Sequence, residues 1–355
     1  MSENSMNLLA SDIKEICDSL SSSELALLEG RHVLLTGSNG FLGRYFTAVF
    51  LLLNRDYLKR PAHVTAVDNF ISSQQDGTIP KDPHFRFCQH DASTPYPTAL
   101  MFPKVDYVVA AAGLASPAYY RKYPLETIDV TTLGLRVALE TARTHNARLL
   151  YFSSSEIYGD PAADKVPTNE EYRGNVSTLG PRSCYDEAKR IGETLCYTYW
   201  HKYQTEATIV RPFNVFGPGL SKEDYRVIPN FGARITAGQP VNIYGSGDQT
   251  RTFCYVTDAI SGFLKVLLVG LPAEAYNVGN PEPEISMKDL AKAVGTATGK
   301  EVLFNVIDYP ADYPADEPNR RCPDITKVRT LGYAPRVALQ DGLQRFFGWA
   351  VTAYR

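Results

Sequence analysis

Short apolar runs alternate with helical patterns from residue 31 onward. Runs of four or five buried-type residues fit strands, and longer segments with apolar residues three or four apart fit helices. The predicted strands are His32–Thr36, His63–Val67, Phe85–Cys88, Tyr107–Ala111, Arg148–Phe152 and Ala207–Val210, and the predicted helices are Phe41–Leu53, Thr127–His145 and Cys184–Tyr203. This alternation predicts an α/β fold with a doubly wound parallel sheet and helices on both faces.

The rhythm changes after Arg211, where proline and glycine become frequent and short strands mix with helices. We therefore expect a nucleotide-binding domain over residues 31–212, to which a segment near 241–272 returns. A smaller C-terminal α/β lobe is expected over 213–355. An amphipathic pattern over Asp12–Leu28 predicts a helical extension within residues 1–30, used for packing or oligomer contacts.

Composition narrows the classes of partner. The 355 residues carry a net charge of −3 without a cluster of lysine or arginine, so we expect no nucleic-acid partner. The six cysteines form no C-x-x-C pair and the histidines are scattered, which argues against a metal site. No signal-peptide pattern precedes residue 30 and the apolar run Ala48–Leu53 is too short to span a bilayer, so we expect a cytoplasmic protein.

A glycine triplet, Gly37-x-x-Gly40-x-x-Gly43, follows the first strand and opens the first helix. Glycines at such a turn let backbone N–H groups and the helix dipole approach a pyrophosphate. Asp68 ends the second strand, where a carboxylate accepts hydrogen bonds from ribose hydroxyls, and no arginine follows to receive a 2′-phosphate. These features predict a Rossmann-like domain that prefers NAD to NADP. The candidate cofactor residues are Gly37, Asn39, Gly40, Phe41, Leu42, Gly43, Asp68, Asn69, Asp91, Tyr185 and Lys189.

Tyr185 and Lys189 lie four residues apart on one face of a predicted helix. An ammonium beside a phenol stabilises the phenolate and lowers its pKa from about 10 towards neutrality. The tyrosine then takes a proton from a carbinol while hydride leaves for NAD. Ser153–Glu156 end a predicted strand, so a hydroxyl there, Ser154, is expected to hold the same oxygen.

Together these motifs resemble the extended short-chain dehydrogenase/reductase family. Its nucleotide-sugar signatures are matched by residues 211–218 and 244–251, and the resemblance covers about residues 31–345. Within the family, serine at position 155 stands where sugar 4,6-dehydratases carry an acid. The hydroxyl–Ser–Glu pattern of residues 154–156 is instead similar to UDP-glucuronate decarboxylases (UDP-xylose synthases). Arg321 falls on an arginine that this subgroup uses near the sugar carboxylate.

The resemblance implies a sugar nucleotide as substrate. That the nucleotide is UDP is inherited from the subgroup. The implied catalytic residues are Tyr185, Lys189, Ser154, Ser155, Glu156 and Arg321. The implied substrate-binding residues are Ser116, Tyr120, Asn175, Arg182, Asn214, Arg226, Tyr244, Arg251 and Arg321. A homodimer is also implied, formed by the two long helices of each subunit.

The implied reaction oxidises C4 of UDP-glucuronate, releases CO2 and reduces C4 again. Ser154 replaces the usual threonine, and residues 110, 113–114, 226–230 and 322 depart from the subgroup in whole or in part. The alternatives are a nucleotide-sugar 4-epimerase, a 4,6-dehydratase, which Ser155 disfavours, and a non-catalytic NAD-binding regulator. The last has no need of Ser154, Tyr185 and Lys189 together.

Overall fold

A computed structural model describes residues 8–73, 79–97, 104–308 and 318–355. Its centre is a seven-stranded parallel sheet with the strand order β11-β6-β5-β4-β1-β2-β3. The strands are β1 (His32–Thr36), β2 (His63–Asp68), β3 (Phe85–Gln89), β4 (Tyr107–Ala110), β5 (Arg148–Phe152), β6 (Ala207–Pro212) and β11 (Ala275–Val278).

Helices cover both faces of this sheet. The described helices are α1 (Ala10–Asp18), α2 (Ser22–Leu28), α3 (Phe41–Asp56), α4 (Pro117–Lys122), α5 (Pro124–Asp129), α6 (Leu135–His145), α7 (Ser183–Tyr203), α8 (Val227–Thr236), α9 (Val256–Val269), α10 (Met287–Thr298), α11 (Thr326–Arg329) and α12 (Leu339–Ala353). The central strands β1, β4 and β5 are buried over nearly their whole length, as a parallel sheet covered on both sides requires. The predicted fold class is confirmed.

The strand order reverses direction between β1 and β4. The chain runs outward through β2 and β3 and then returns to place β4 on the other side of β1. Such a reversal opens a crevice at the carboxyl ends of the strands, because the connecting loops diverge there. The site described below lies at this position.

Two predicted helices differ in detail from the structure. The segment expected as one helix over Asp12–Leu28 forms two, because Ser21 and Glu24 make a reciprocal capping box that starts a new helix. The segment expected as one helix over Thr127–His145 begins inside α5, passes through a π turn at Val130–Gly134 and continues as α6. A Cβ on Gly134 would lie 3.2 Å from the Ala92 carbonyl oxygen, so glycine permits a close backbone approach there.

The remaining strands form small sheets outside the large one. They are β7 (Val215–Phe216), β8 (Val241–Tyr244), β9 (Thr250–Arg251), β10 (Cys254–Tyr255), β12 (Ile285–Ser286), β13 (Phe304–Ile307) and β14 (Arg320–Arg321). β8 pairs with β13 and not with the large sheet. The segment that returns to the large sheet is therefore α9 with β11, somewhat beyond the expected 241–272, because β11 pairs with β6.

The N-terminal helices pack on α3 and α9. Ile16 and Cys17 are completely buried there, and so is the side chain of Asp12. Asp12 accepts hydrogen bonds from the Tyr255 hydroxyl (2.7 Å) and the Arg345 guanidinium (3.1 Å). Burial raises the pKa of Asp12 despite these partners, so the carboxylate depends on them to stay ionised. The extension is thus part of the core; its first seven residues lie outside the described ones.

Within the described ranges, no helix combines the length and the apolar character needed to cross a bilayer. The same residues contain no group of three or more histidine, cysteine, aspartate or glutamate side chains suited to a metal ion.

We predict that Asp12→Ala destabilises the protein by about 3 kcal/mol, because it leaves the buried Tyr255 hydroxyl without its acceptor and removes one of the two carboxylates that bind Arg345, the other being Glu15. Thermal unfolding measures the effect as a lowered Tm. The control is Lys14→Ala, which removes only an exposed ion pair with Asp18 and should change Tm little. Equal Tm values for the two variants would show that the buried contact contributes nothing.

Candidate active site

The carboxyl ends of the large sheet and the C-terminal lobe enclose a cavity of about 340 Å³. Most of the residues predicted from the sequence line it. They are Gly37, Gly40, Phe41, Leu42, Gly43, Tyr120, Ser154, Ser155, Glu156, Arg182, Tyr185, Lys189, Asn214, Arg226, Tyr244, Arg251 and Arg321.

A second, smaller cavity of about 120 Å³ shares Gly37 and Gly40 with the first. Asp68, Asn69 and Asp91, the three polar residues predicted for the adenosine end of NAD, line it. Asp68 accepts backbone N–H bonds from Asn39 and Phe70, each at 2.8 Å, which fixes its carboxylate at the end of β2. Asn39 lies beside this carboxylate but outside the lining of both cavities.

The glycine turn fits a dinucleotide because side chains would fill it. Gly37 has a φ of +70°, and a Cβ there would lie 2.7 Å from the Cα of Ala112. A Cβ on Gly43 would lie 2.0 Å from the Gly37 carbonyl oxygen, so only glycine lets the first turn of α3 pack against the loop. The N-terminus of α3 has no side-chain cap, which leaves its N–H groups directed towards the turn. This is the geometry that receives a pyrophosphate.

Tyr185 stands on the wall of the larger cavity. Its hydroxyl is hydrogen-bonded to Ser154, two residues after β5, and its ring stacks on Tyr120 with centroids 5.3 Å apart. Burial raises the pKa of Tyr185 to about 12. The two hydroxyls that were predicted to act on one oxygen therefore lie next to each other, because the helix and the loop after β5 meet at the crevice.

Lys189 is buried one helical turn from Tyr185. Its ammonium donates to the Phe152 carbonyl oxygen (2.7 Å) and lies 5.6 Å from the centre of the Tyr185 ring. Burial lowers the pKa of Lys189 to about 8. The lowering of the Tyr185 pKa towards neutrality that the sequence predicts is not seen, because burial of the phenol prevails. The hydrogen bond with Ser154 lowers this pKa, whereas the negative charges of Glu156 and Asp186 add to the increase.

Glu156 begins the turn after β5 and is held by two arginines. Arg321 forms a bidentate pair with its carboxylate, one bond measuring 2.7 Å, and Arg182 binds the same carboxylate from α7. Burial alone would raise the pKa of Glu156, but the two guanidinium groups prevail and lower it to about 2. The Glu156 carboxylate thus lies between two cations, beside Tyr185 and Ser154.

Sequence reasoning missed Asp186, the residue after Tyr185. Its carboxylate receives a bond of 3.4 Å from Nε of Arg182, the arginine that also binds Glu156. Burial, followed by the negative charge of Glu156, raises the pKa of Asp186 to about 7. The four-residue spacing from Arg182 to Asp186 was readable in the sequence, but the binding of Arg182 to Glu156, 26 residues away, was not.

Two predicted substrate residues do not line the cavity. Ser116 is buried behind the wall, where its hydroxyl donates to Asp224 (3.2 Å), which in turn holds Arg226 by several bonds. Asn175 is exposed and bridges to Gly159, and its side chain donates to the Asp160 carbonyl oxygen (3.2 Å). Backbone pairing with Gly159 therefore keeps Asn175 out of the cavity wall. Ser116 supports Arg226 indirectly, through Asp224.

Arg251 and Arg321 lie on neighbouring strands of one small sheet. β14 pairs in parallel with β9, and the two arginines are register partners. Both guanidinium groups line the cavity, together with Asn214 and Tyr244. The lobe thereby offers two cations to a ligand that reaches across from the glycine turn.

The chain belongs to the NAD-dependent epimerase/dehydratase family, whose model matches residues 33–279. This confirms the predicted family and NAD as the cofactor. The frog Xenopus tropicalis has a similar protein, UDP-glucuronic acid decarboxylase 1, which is 36% identical over 89% of this chain and 71% of its own length. UDP-glucuronic acid decarboxylase 6 of Arabidopsis thaliana is 35% identical over 88% of this chain and 86% of its own length.

Solved structures show the same fold. An epimerase from Methanothermobacter thermautotrophicus has a TM-score of 0.77 with 26% identity, and 95% of each chain is covered. UDP-glucuronic acid 4-epimerase from Bacillus cereus in complex with NAD has a TM-score of 0.75 with 24% identity, over 91% of this chain and 97% of its own.

We predict that Gly43→Ala abolishes NAD retention or folding, because the new methyl group would overlap the Gly37 carbonyl oxygen. NAD released from the denatured protein and the Tm of the purified variant measure this. Gly348→Ala in α12 is the control, since a Cβ there meets no atom within 4 Å. An unchanged NAD content in Gly43→Ala would contradict the assignment of the turn.

Proposed function

We propose that this protein converts UDP-glucuronate to UDP-xylose and CO2, with NAD used and regenerated in each cycle. The observation that carries the proposal is the pair of arginines around Glu156, adjacent to the hydroxyls of Tyr185 and Ser154. A hexuronate presents a carboxylate two carbons from its C4 hydroxyl, so it needs cations and a proton acceptor at this separation. The relatives named as decarboxylases support the same reaction.

Bound NAD supplies an acceptor for the C4 hydride and later returns that hydride. Tyr185 takes the proton of the C4 hydroxyl, and Ser154 holds the same oxygen through a hydrogen bond. Lys189 keeps positive charge near the phenol, which favours the phenolate form. Tyr185 and Ser154 thus act on one oxygen, and Tyr185 returns its proton when the ketone is reduced.

Oxidation at C4 makes the C6 carboxylate β to a ketone. The C5–C6 bond then breaks, CO2 leaves, and its electron pair enters an enolate that spans C5, C4 and the C4 oxygen. Hydrogen bonds from Tyr185 and Ser154 stabilise the developing oxyanion, which contributes several kcal/mol in comparable sites, about 3 for a single donor. Arg321 and Arg182 hold the carboxylate region, and Glu156 faces the carbon that must be protonated.

The nucleotide end of the substrate is assigned to the C-terminal lobe. In this proposal Arg251 and Asn214 contact the diphosphate, since a guanidinium fork matches phosphate oxygens. Arg226, fixed by Asp224, and Tyr244 complete the wall around the sugar nucleotide. Position 155 carries a serine and no carboxylic acid, so the acid that expels a C6 hydroxyl in a 4,6-dehydratase is missing.

We predict that the NAD-loaded protein releases one CO2 per UDP-glucuronate and forms UDP-xylose. Tyr185→Phe should lower kcat by at least about 100-fold, because it removes the general base. Mass spectrometry of the product and trapping of CO2 measure both. The matched control is Tyr203→Phe, since Tyr203 is on the same helix but its side chain is exposed.

A product of unchanged mass with inverted C4 would contradict decarboxylation and make the protein a 4-epimerase. Bound NAD without turnover of any nucleotide sugar would favour the non-catalytic regulator. A keto product that has lost water would indicate a 4,6-dehydratase.

We also propose that the protein works as a cytoplasmic homodimer. The helical segments 124–145 and 183–203 pack on each other and expose large apolar side chains at Leu125, Leu133, Ile191 and Tyr197. Two copies of such a helix pair form a four-helix interface when related by a twofold axis. Exposed apolar patches of this kind are typical of interfaces.

We predict that Leu133→Asp converts the dimer to a monomer, because it introduces a charge into the centre of the apolar surface. Light scattering after size-exclusion chromatography gives the mass of each species. Leu303→Asp, at an exposed leucine of the C-terminal lobe, serves as the control and should leave the dimer intact. A wild-type monomer at all concentrations would refute the proposal.

A further inference from the structure

The segment that joins β7 to α8 carries three consecutive backbone carbonyl oxygens that accept hydrogen bonds from distant side chains. The bonds run from the Tyr45 hydroxyl to Pro218 (3.0 Å), from the Arg44 guanidinium to Gly219 and from the Tyr354 hydroxyl to Leu220 (2.9 Å). Two of the donors belong to α3, and the third directly follows α12. Side chains from distant parts of the chain thus fasten one short segment.

This segment belongs to a loop in the wall of the larger cavity. Residues 217–226, the cavity loop, include Arg226, which lines the cavity. The pair of Arg226 with Asp224 lies within the loop, so it fixes the guanidinium relative to the loop and not relative to the catalytic residues. That second relation depends on what fastens the loop, namely Ser116 at Asp224 and the three donors at residues 218–220.

The fastened part of the loop is buried. Gly219 has a φ of +96°, and a Cβ there would lie 2.8 Å from Cδ2 of Leu8 and 3.3 Å from Nη2 of Arg44. Glycine therefore lets the N-terminal extension and α3 close over the loop. Tyr45 is completely buried and Tyr354 is 8% exposed. A carbonyl oxygen that loses its donor in such surroundings is costly, so the three bonds resist displacement of the loop.

We propose that Arg44, Tyr45 and Tyr354 are positioning residues for substrate binding, because they hold the cavity loop so that Arg226 faces the sugar nucleotide. The inference rests on the proposed function. All three lie outside the described lining of the cavity, so they act through the loop. The residues that act on C4 belong to other elements. The effect therefore falls on the affinity for the substrate and not on the chemical step.

The double variant Tyr45→Phe/Tyr354→Phe removes two of the three donors and keeps both rings. The ring of Tyr45 retains its edge contact with Phe41, which lines the cavity, so NAD content should be unchanged. Each bond corresponds to a factor of about 5 in an equilibrium constant. In the NAD-loaded protein we expect the KM for UDP-glucuronate to rise at least about fivefold and kcat to stay within about twofold, as loss of ground-state binding requires.

Tyr107→Phe is the matched control. The Tyr107 hydroxyl also donates to a backbone carbonyl oxygen, that of Leu27 (3.0 Å), and Tyr107 is 8% exposed, like Tyr354. Tyr107 is the first residue of β4, at the end of the sheet opposite the cavity. The control should lower Tm by about as much as Tyr354→Phe but leave KM unchanged.

Limited proteolysis tests the same contacts without turnover. Lys222 is exposed in the cavity loop, and trypsin cleaves after it only when the neighbouring residues detach from the protein. The double variant should be cut at Lys222 at least about fivefold faster than the wild type, and Tyr107→Phe at the wild-type rate. The masses of the two fragments identify the cleaved bond.

Unchanged KM and unchanged cleavage in the double variant would overturn the proposal, and so would an equal rise in KM in Tyr107→Phe. Should the double variant not fold, Tyr354→Phe alone is measured in the same way, with a rise in KM of about threefold expected. If the wild type releases no CO2, the proposed function fails. Faster cleavage of the double variant would then still support the fastening of the loop, and equal cleavage would overturn it.

Discussion

Glu156 accepts bonds from one arginine of the helix that carries Tyr185 and from another arginine of the C-terminal lobe. The end of β5, the helix α7 and the strand β14 are thereby tied to a single carboxylate. A charge buried in this way is tolerated only while its partners remain, since removing one partner of a buried pair typically costs about 3–5 kcal/mol. The relative positions of Tyr185, Ser154 and the lobe therefore depend on this carboxylate.

The glycine turn shapes the other side of the cavity, and it does so because its residues lack a Cβ atom. Gly37 and Gly43 let two backbone segments approach to distances that any Cβ would block. The cofactor edge is consequently set by backbone contacts, and the sugar edge by ion pairs. Both edges meet at the reversal of strand order between β1 and β4, where an open α/β sheet provides its crevice.

Local patterns predicted the features that depend on neighbouring residues. The structure contains the turn that was predicted from the spacing of Gly37, Gly40 and Gly43. It also contains the helix that was predicted to carry Tyr185 and Lys189 on one face. The capping box at Ser21 and Glu24 was readable in the sequence but was not used, so two helices were expected as one. Contacts between residues far apart in the sequence were not readable: Asn175 faces away from the cavity because it bridges to Gly159, and Glu156 is bound by arginines 26 and 165 residues away.

The register of β9 and β14 fixes the distance between the backbone positions of two arginines that line the cavity. Arg251 and Arg321 are paired across two adjacent strands, so the spacing of their backbones is that of a β-ladder, about 4.8 Å. Side-chain rotation alters the reach of each guanidinium but not the separation of their origins. Under the proposed function, Arg251 binds the diphosphate and Arg321 binds the sugar carboxylate. The backbone spacing of the two strands therefore contributes to selecting ligands by the distance between their anionic groups. A ligand whose two anions lie much farther apart than both side chains can span would lose one of the two contacts.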